Sequence, residues 1–240
     1  YNAMGVELRQ GYGLTETSPV ISVNRENCNN PVTVGQPIPG LQIRLGDMEE
    51  LQVKGPTVMK GYWKRPDATA EVFTEDGWFK TGDQADLSDA GRIRIKGRIK
   101  EIIVTSTGEK IPPTDMELAI QTDPLFEQVM VVGEARPFIT ALAVVNEAEW
   151  EKFAKEFNVD PTDERMLMRR DIRMAALKRL KKAASRFPQY GIPRNIRLLK
   201  EHWTVDNGCL TVTMKLRRPI IREKLRAEID ELYTVPQNNV

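Results

Sequence analysis

The sequence predicts an α+β protein in which a small β-rich part precedes a compact domain of mixed strands and helices. Two observations carry this prediction. Residues 1–97 contain short alternations of apolar and polar residues separated by Gly and Pro, as half-buried strands do. From residue 98 onward, helical periodicities alternate with apolar runs. We therefore expect two domains, 1–97 and 98–240, with a boundary near 98–101.

The first part is predicted to be mostly strands and turns. Period-2 alternation predicts strands over 41–45, 51–54 and 92–96. Pro66 stands near the start of a short helix predicted over 66–73. Asp76-Gly77 predicts a turn.

The second part alternates buried strands with helices. Strands are predicted over 101–105, 129–132 and 139–145, and helices over 114–121, 148–157 and 163–186. The longest of these helices carries an apolar stripe of Ile172, Ala176, Leu180 and Ala183.

Two features are predicted near the end of the chain. Asn207-Gly208 predicts a hairpin that joins strands over 203–205 and 210–213. Pro219 then opens a final helix, whose core stripe is predicted to be Ile221, Leu225, Ile229 and Leu232.

Composition excludes several classes of protein. With 35 basic and 34 acidic residues, the formal charge of +1 argues against nucleic acid as a partner. The single histidine, His202, excludes sites built from several imidazoles, so the chemistry must use carboxylates, Lys, Arg, hydroxyls and the backbone. Cys28 and Cys209 lack metal or redox spacing, which favours a reducing, cytoplasmic compartment. The longest apolar run, 139–145, is too short to cross a membrane.

The first candidate motif is Gly11-Tyr12-Gly13, followed by Thr15 and Glu16. Two glycines around an aromatic residue let the backbone approach a flat ring closely. A hydroxyl followed by a carboxylate suits a phosphate oxygen and a Mg²⁺ ion. By itself, the motif is equally typical of a plain loop.

Three later stretches also carry polar side chains of interest. Asp83, after Thr81-Gly82, suits the two hydroxyls of a ribose, although alone it is more typical of a turn or a cap. Residues 97–111 by themselves indicate a charged hairpin, and residues 210–218 a basic loop before a helix.

Taken together and in this order, the four stretches resemble the adenylate-forming superfamily of acyl-CoA synthetases, nonribosomal peptide adenylation domains and luciferases. The resemblance covers essentially the whole chain and implies a distorted β-barrel subdomain followed by a mobile lid domain. It rests on Tyr-Gly-Leu-Thr-Glu-Thr from Tyr12, Thr-Gly-Asp ending at Asp83, Gly-Arg-Ile-Lys-Glu from Gly97, and the stretch from Thr211 to Lys215.

The resemblance implies a nucleotide site in the first part of the chain. Tyr12, beside Gly13, would stack on adenine, and Thr15 would contact the phosphate. Glu16 would help to hold Mg²⁺. Asp83 would grip the ribose hydroxyls, and Arg98 would assist it.

The resemblance implies two moving parts in the remainder. Lys100 matches the hinge about which the lid domain rotates. Lys215 would be the catalytic lysine, which bridges the substrate carboxylate and the α-phosphate. Gly108 matches the loop that lines the pantetheine tunnel after rotation.

The implied activity is ATP-dependent conversion of a fatty acid to acyl-AMP, then transfer to coenzyme A, giving acyl-CoA, AMP and pyrophosphate. Residues 210–219 look most like those of long-chain fatty acyl-CoA synthetases, although Val212 stands where relatives usually have Pro. The phosphate loop and the acyl pocket would lie upstream of Tyr1, which is not a starting methionine. We therefore expect a fragment that is inactive alone.

Two alternatives remain open at this point. An adenylate-forming enzyme with another acceptor, such as a carrier-protein ligase or an acyl-AMP ligase, would share Asp83 and Lys215. A lipid-surface binding module would instead use residues 165–186, which hold nine Lys or Arg and one acid, Asp171. A solvated helix face explains that segment better, given the near-zero net charge. We expect a cytoplasmic protein with, at most, peripheral membrane contact.

Overall fold

The computed structural model describes residues 4–234, and the chain divides into two compact units, Tyr1–Glu101 and Ile102–Val240. The assignment of domains 1–97 and 98–240 and of their roles stays a prediction. Residues 1–3 and 235–240 lie outside the described part.

The first unit consists of two antiparallel sheets and a short helix. One sheet has the order β1-β2-β3 and the other β4-β5-β6-β7. The strands are β1 (Gly11–Gly13), β2 (Val20–Val23), β3 (Gln36–Pro37), β4 (Gln42–Leu45), β5 (Glu50–Lys54), β6 (Phe79–Asp89) and β7 (Arg92–Arg98), and α1 (Pro66–Glu71) lies between β5 and β6. Backbone bonds join the two sheets where Val34 N donates to Ile93 O and Ile93 N donates to Gly35 O.

The predicted strands and the short helix of this unit are confirmed, but β1, β2, β3 and β6 were not predicted. The buried positions of β6 are Phe79, Thr81, Asp83 and Ala85. Two of these four inward-facing side chains are polar, so the strand shows no apolar alternation. Inside this unit, Ile21, Leu51, Val53, Ala85 and Ile93 are completely buried and form the core.

The second unit is a three-stranded sheet with helices packed on both faces, preceded by a small hairpin. The sheet has the order β10-β11-β12, in which β10 and β11 are antiparallel and β11 and β12 are parallel. The strands are β8 (Ile103–Val104), β9 (Lys110–Ile111), β10 (Phe126–Val132), β11 (Thr140–Val145) and β12 (Asn195–Leu199). The helices are α2 (Pro113–Ile120), α3 (Glu147–Glu156), α4 (Arg170–Ala183), α5 (Arg218–Lys224) and α6 (Arg226–Thr234).

Burial on both sides of this sheet explains its apolar strands. All residues of β11 are buried, and successive side chains enter different hydrophobic clusters. Ala141 and Ala143 pack in the cluster that includes α3 and α4, whereas Leu142 and Val144 pack in the cluster that includes α5 and α6. An unbroken apolar run is the expected sequence of such a central strand.

Several boundaries differ from the sequence prediction. The strand expected over 101–105 is only Ile103–Val104, because Glu101 closes a 3₁₀ turn, Ile99–Glu101. The helix expected over 163–186 is a 3₁₀ turn, Glu164–Met168, followed by α4, and Ala184 is buried in place of the partly exposed Ala183.

The hairpin predicted at Asn207-Gly208 is wrong. The side chain of Asn207 accepts from the backbone N of Thr204 and of Cys209, and donates to the carbonyl of His202. These local bonds close a compact loop in place of a two-stranded ladder. The final helix is also interrupted, at Leu225, so that it forms α5 and α6.

Within residues 4–234, no helix is both long and apolar enough to span a bilayer.

Candidate active site

A buried carboxylate, Asp83, is held between two other predicted site residues. Asp83 is 4% exposed and lies directly opposite Arg98 in the pairing of β6 with β7. Its Oδ1 is 2.8 Å from Nε of Arg98, and its Oδ2 accepts a hydrogen bond from the hydroxyl of Tyr12. The interpretation of Asp83 as a turn or capping residue is therefore wrong. It is an oriented, charge-paired acceptor.

Tyr12 is kept as a neutral hydrogen-bond donor. Burial raises the pKa of the Tyr12 phenol well above its ordinary value, and the adjacent charge of Asp83 raises it further. Gly13, the next residue, is required by the backbone, because a Cβ there would lie 1.7 Å from the carbonyl oxygen of Pro19. The sequence predicted that a flat ring approaches the backbone closely at Gly13. In the structure, the group that approaches Gly13 is the carbonyl of Pro19.

Thr15 and Glu16 lie in a 3₁₀ turn, Thr15–Thr17, immediately after β1. Thr15 is exposed, and Oε1 of Glu16 accepts from the hydroxyl of Tyr62 at 2.9 Å. The hydroxyl of buried Thr17 accepts from the backbone N of Leu14 at 3.0 Å, which fixes the entry to the turn. The sequence analysis gave no role to Thr17, which ends the motif from Tyr12, or to Tyr62, which lies outside the four motifs. No short-range pattern indicates the contacts that they make.

Lys100 is exposed in the 3₁₀ turn Ile99–Glu101 that follows β7. The predicted hinge position therefore follows Arg98, the partner of Asp83, by two positions. No structural observation tests the hinge role itself, which stays a prediction.

Gly108 lies at the tip of the β8–β9 hairpin. Its φ is +84°, and its N donates to the carbonyl of Thr105 at 3.0 Å. No heavy atom of the described residues lies within 4 Å of a Cβ built there. The glycine is therefore needed for its backbone conformation, and the space around it is open.

Lys215 ends a short exposed turn before α5. Thr211 N donates to the carbonyl of Lys215 at 2.9 Å, and Met214 in the turn has a φ of +60°. Among residues 4–234, no carboxylate forms an ion pair with the Lys215 ammonium. Val212, at the tip, is 87% exposed. This lysine is a solvent-facing cation, not part of a buried structural pair.

Models of two parts of one enzyme family match the chain. The AMP-binding enzyme model matches residues 1–63, and the AMP-binding enzyme C-terminal domain model matches residues 100–236.

The chain belongs to the AMP-binding enzyme family.

Curated members of the AMP-binding enzyme family match the chain nearly end to end. It is 37% identical over 97% of its length to the long-chain-fatty-acid–CoA ligase FadD15 of Mycobacterium bovis, and covers 39% of that protein. It is 33% identical over 98% of its length to the long-chain-fatty-acid–[acyl-carrier-protein] ligase AEE15 of Arabidopsis thaliana, and covers 33% of that protein. The chain thus spans well under half the length of these relatives.

Solved structures support the fold of an adenylation domain. The carboxylic acid reductase A domain of Segniliparus rugosus, in complex with AMP and a co-purified carboxylic acid, superposes with a TM-score of 0.73. It is 27% identical, and the match covers 96% of this chain and 36% of that structure. The predicted α+β, acyl-CoA synthetase-like fold is therefore confirmed.

Within this AMP-binding family chain, the first unit brings Tyr12, Asp83 and Arg98 together, as the resemblance implied. Gly108 and Lys215 lie on two separate turns of the second unit.

The residues present suit a Mg²⁺ ion brought by ATP. Within residues 4–234, no group of three or more His, Cys, Asp or Glu side chains forms a metal cluster. Mg²⁺ characteristically needs only one or two carboxylates besides phosphate oxygens and water. Glu16, which is partly exposed and bonded through one oxygen to Tyr62, fits that requirement.

The basic segment 165–186 is largely engaged within the protein. Arg165 pairs with Asp163, Arg169 with Asp171, and Arg179 with Asp123, while Arg173 donates to Asn195. The apolar stripe of α4 is buried in the core. The segment is therefore a helix face over an apolar stripe, in which part of the basic side chains are engaged within the protein and the others face solvent.

Proposed function

We propose that the chain is the C-terminal part of a ligase that activates a long-chain fatty acid with ATP and transfers it to coenzyme A. Family membership supports the adenylate-forming chemistry, and relatives named as long-chain-fatty-acid–CoA ligases support the substrates. The observation that carries the mechanism is the exposed Lys215 ammonium, which no carboxylate of residues 4–234 neutralises.

In the first half-reaction, a carboxylate oxygen of the fatty acid attacks the α-phosphorus of ATP, and pyrophosphate leaves. Two anions approach one another, and negative charge builds on the phosphate in the transition state. The Lys215 ammonium lies between them and stabilises that charge. Lys suits this task because it is a compact charge on a flexible stem, here presented by an exposed turn.

The first unit holds the nucleotide. The carboxylate of Asp83 is the acceptor for the ribose hydroxyls, because an ionised carboxylate accepts hydrogen bonds and donates none. Tyr12 and Arg98 keep this carboxylate in one orientation before ATP arrives. Thr15 contacts the phosphate, and Glu16 holds Mg²⁺, which neutralises phosphate charge when bound.

In the second half-reaction, the thiolate of coenzyme A attacks the acyl carbon of acyl-AMP, and AMP leaves. This step requires a path for the thiol of the pantetheine arm, whereas adenylation requires a cation beside the α-phosphate. The second unit turns about Lys100 and presents the Gly108 hairpin, whose open glycine tip leaves room for the pantetheine arm.

The decisive experiment is Lys215→Ala in the full-length protein, assayed for each half-reaction separately. We expect acyl-AMP formation to fall by about 10²- to 10³-fold, because one transition-state charge contact is lost. Thioester formation from supplied acyl-AMP should change little. Lys182→Ala, another exposed lysine, is the matched control and should retain both rates. Equal loss of both half-reactions in Lys215→Ala would show that the lysine is only structural.

A carrier protein is the second candidate acceptor. One relative is named as an acyl-carrier-protein ligase, and one solved structure is the A-PCP didomain of a carboxylic acid reductase. Incubation of enzymatically formed acyl-AMP with coenzyme A and with a phosphopantetheinylated carrier protein separates the two. Faster transfer to the carrier would reject the coenzyme A proposal.

We place the protein in the cytoplasm, with peripheral contact to anionic membranes through four cations of the basic segment: Arg170, Lys178, Lys181 and Lys182. None of the four forms an ion pair within residues 4–234. Sedimentation with anionic vesicles, compared between the wild type and a variant with these four changed to Gln, tests the contact. Equal sedimentation of the two proteins would reject it.

A further inference from the structure

A buried ion pair joins the start of α5 to α2. Arg218 donates from Nη1 to Oε1 and from Nη2 to Oε2 of Glu117, each at 2.6 Å. The side chains are 6% exposed for Glu117 and 11% exposed for Arg218. The two residues are 101 positions apart, so no local pattern in the sequence predicts the pair.

The same carboxylate holds a third element. Oε1 of Glu117 also accepts from the backbone N of Val131, in β10, at 2.8 Å. Glu117 therefore ties together α2, the central sheet and the first residue of α5. A bidentate guanidinium–carboxylate pair restricts the orientation of its partners as well as their distance.

This anchor lies directly beside the Lys215 turn. Arg218 follows Lys215 by three positions, and Arg217 N donates to the carbonyl of Cys209 at 2.8 Å on the way into α5. The turn itself is exposed and is closed by short-range bonds between Thr211 and its successors and by the bridge between Leu210 and Leu216. The location of the ammonium therefore depends on where α5 begins.

We propose that Glu117 is a positioning residue for Lys215, acting through Arg218; the inference rests on the function proposed above. Removal of the Glu117 charge leaves the buried guanidinium less well compensated, so the start of α5 shifts toward water. A shift of about 1 Å in a catalytic group can slow a reaction by about a hundredfold. Glu117 need not touch any substrate for this effect.

The test variant is Glu117→Gln in the full-length protein, because glutamine keeps the size and the acceptor for Val131 N. We expect the kcat of acyl-AMP formation to fall by about tenfold or more, while KM for ATP and for the fatty acid changes by less than about threefold. Thioester formation from supplied acyl-AMP should be retained. Arg218→Lys keeps the charge but loses the bidentate geometry of the guanidinium. Its kcat for acyl-AMP formation should lie between those of the wild type and Glu117→Gln.

The matched control is Asp123→Asn, which breaks another ion pair of the second unit. Asp123 is 2.6 Å from Arg179 on α4, with side-chain exposures of 17% and 33%. This pair has no link to α5, so adenylation should be unchanged. The same kinetic loss in Asp123→Asn and Glu117→Gln would mean that general weakening of the unit is responsible, and would overturn the positioning role.

Hydrogen exchange of the peptide 209–217 gives a readout that does not depend on catalysis. Glu117→Gln should speed exchange there, and Asp123→Asn should not. Unchanged exchange in Glu117→Gln would overturn the positioning role, whatever the rates. If the wild-type protein forms no acyl-AMP, the proposed function fails, and the exchange data still decide whether Glu117 orders the Lys215 turn.

Discussion

Asp83 shows how one side chain acquires its chemistry from residues distant in sequence. Its hydrogen-bond donor, Tyr12, is 71 positions away, and its ionic partner, Arg98, faces it across a strand pair. Both hold the carboxylate in one orientation. This pre-orientation favours the proposed contact with the ribose hydroxyls, because less ordering is left for the moment of binding.

Tyr12→Phe keeps the ring and removes the hydroxyl that donates to Asp83. We expect a loss of about 1–2 kcal/mol in the free energy of unfolding, because the lost bond reaches a buried charge. KM for ATP should also rise. Urea unfolding and initial-rate kinetics measure the two effects. Tyr62→Phe is the control: it removes an exposed bond to Glu16, so its stability change should stay within about 0.5 kcal/mol.

The alkaline stability of the protein should depend on Tyr12. The pKa of Tyr12 is raised in the folded state, whereas an unfolded tyrosine ionises near pH 10. The Tyr12 contribution is therefore complete below about pH 10 and is lost as the pH rises further, because only the unfolded state then releases its proton. The difference in urea midpoint between the wild type and Tyr12→Phe should shrink above that pH. A constant difference between pH 8 and pH 11 would contradict this assignment.

At the scale of single elements, side-chain bonds to the backbone decide between a loop and a strand. Asn207-Gly208 has the sequence of a tight hairpin, yet Asn207 satisfies three backbone groups of its own loop. Trp203 N is also bonded outside the loop, to the side chain of Gln128. The backbone groups that a hairpin ladder needs are already used.

Asn207→Ala should destabilise this loop. We expect a loss of about 1–2 kcal/mol, because two backbone donors and one carbonyl lose their partner. Asn207→Asp keeps both acceptor bonds but loses the bonds that the amide donates to the carbonyl of His202 and to Glu201, so about half of the loss should return. Urea unfolding of the three proteins measures the series. Equal midpoints for Asn207→Ala and the wild type would mean that water replaces these bonds at no cost.

At the scale of the whole molecule, the proposed two-step reaction requires the second unit to change its orientation between steps. The predicted hinge position, Lys100, is exposed and lies in a 3₁₀ turn just before the division between the units.

Lys100→Pro tests this requirement. Proline fixes φ and restricts the preceding residue, so rotation at this position is blocked. Acyl-AMP formation should be retained, and transfer to coenzyme A should fall by about tenfold or more. Stopped-flow assays of each half-reaction measure the two rates separately. The control, Lys100→Ala, should keep both steps, and a Pro variant with normal transfer would locate the hinge elsewhere.

The sequence by itself determined the family, the α+β class, the main helices and about half of the strands. These properties follow from short-range spacing: alternation, helical stripes and four collinear motifs. It also indicated the candidate site residues, including Tyr12, Asp83, Gly108 and Lys215.

Only the tertiary structure decided which of these residues meet and what holds them. It placed polar Asp83 on the inward face of β6, paired Glu117 with Arg218 across 101 positions, and replaced a predicted hairpin with a loop. The physical reason is the same in each case. A buried polar group is stable only when a partner reaches it, and that partner can come from any part of the chain.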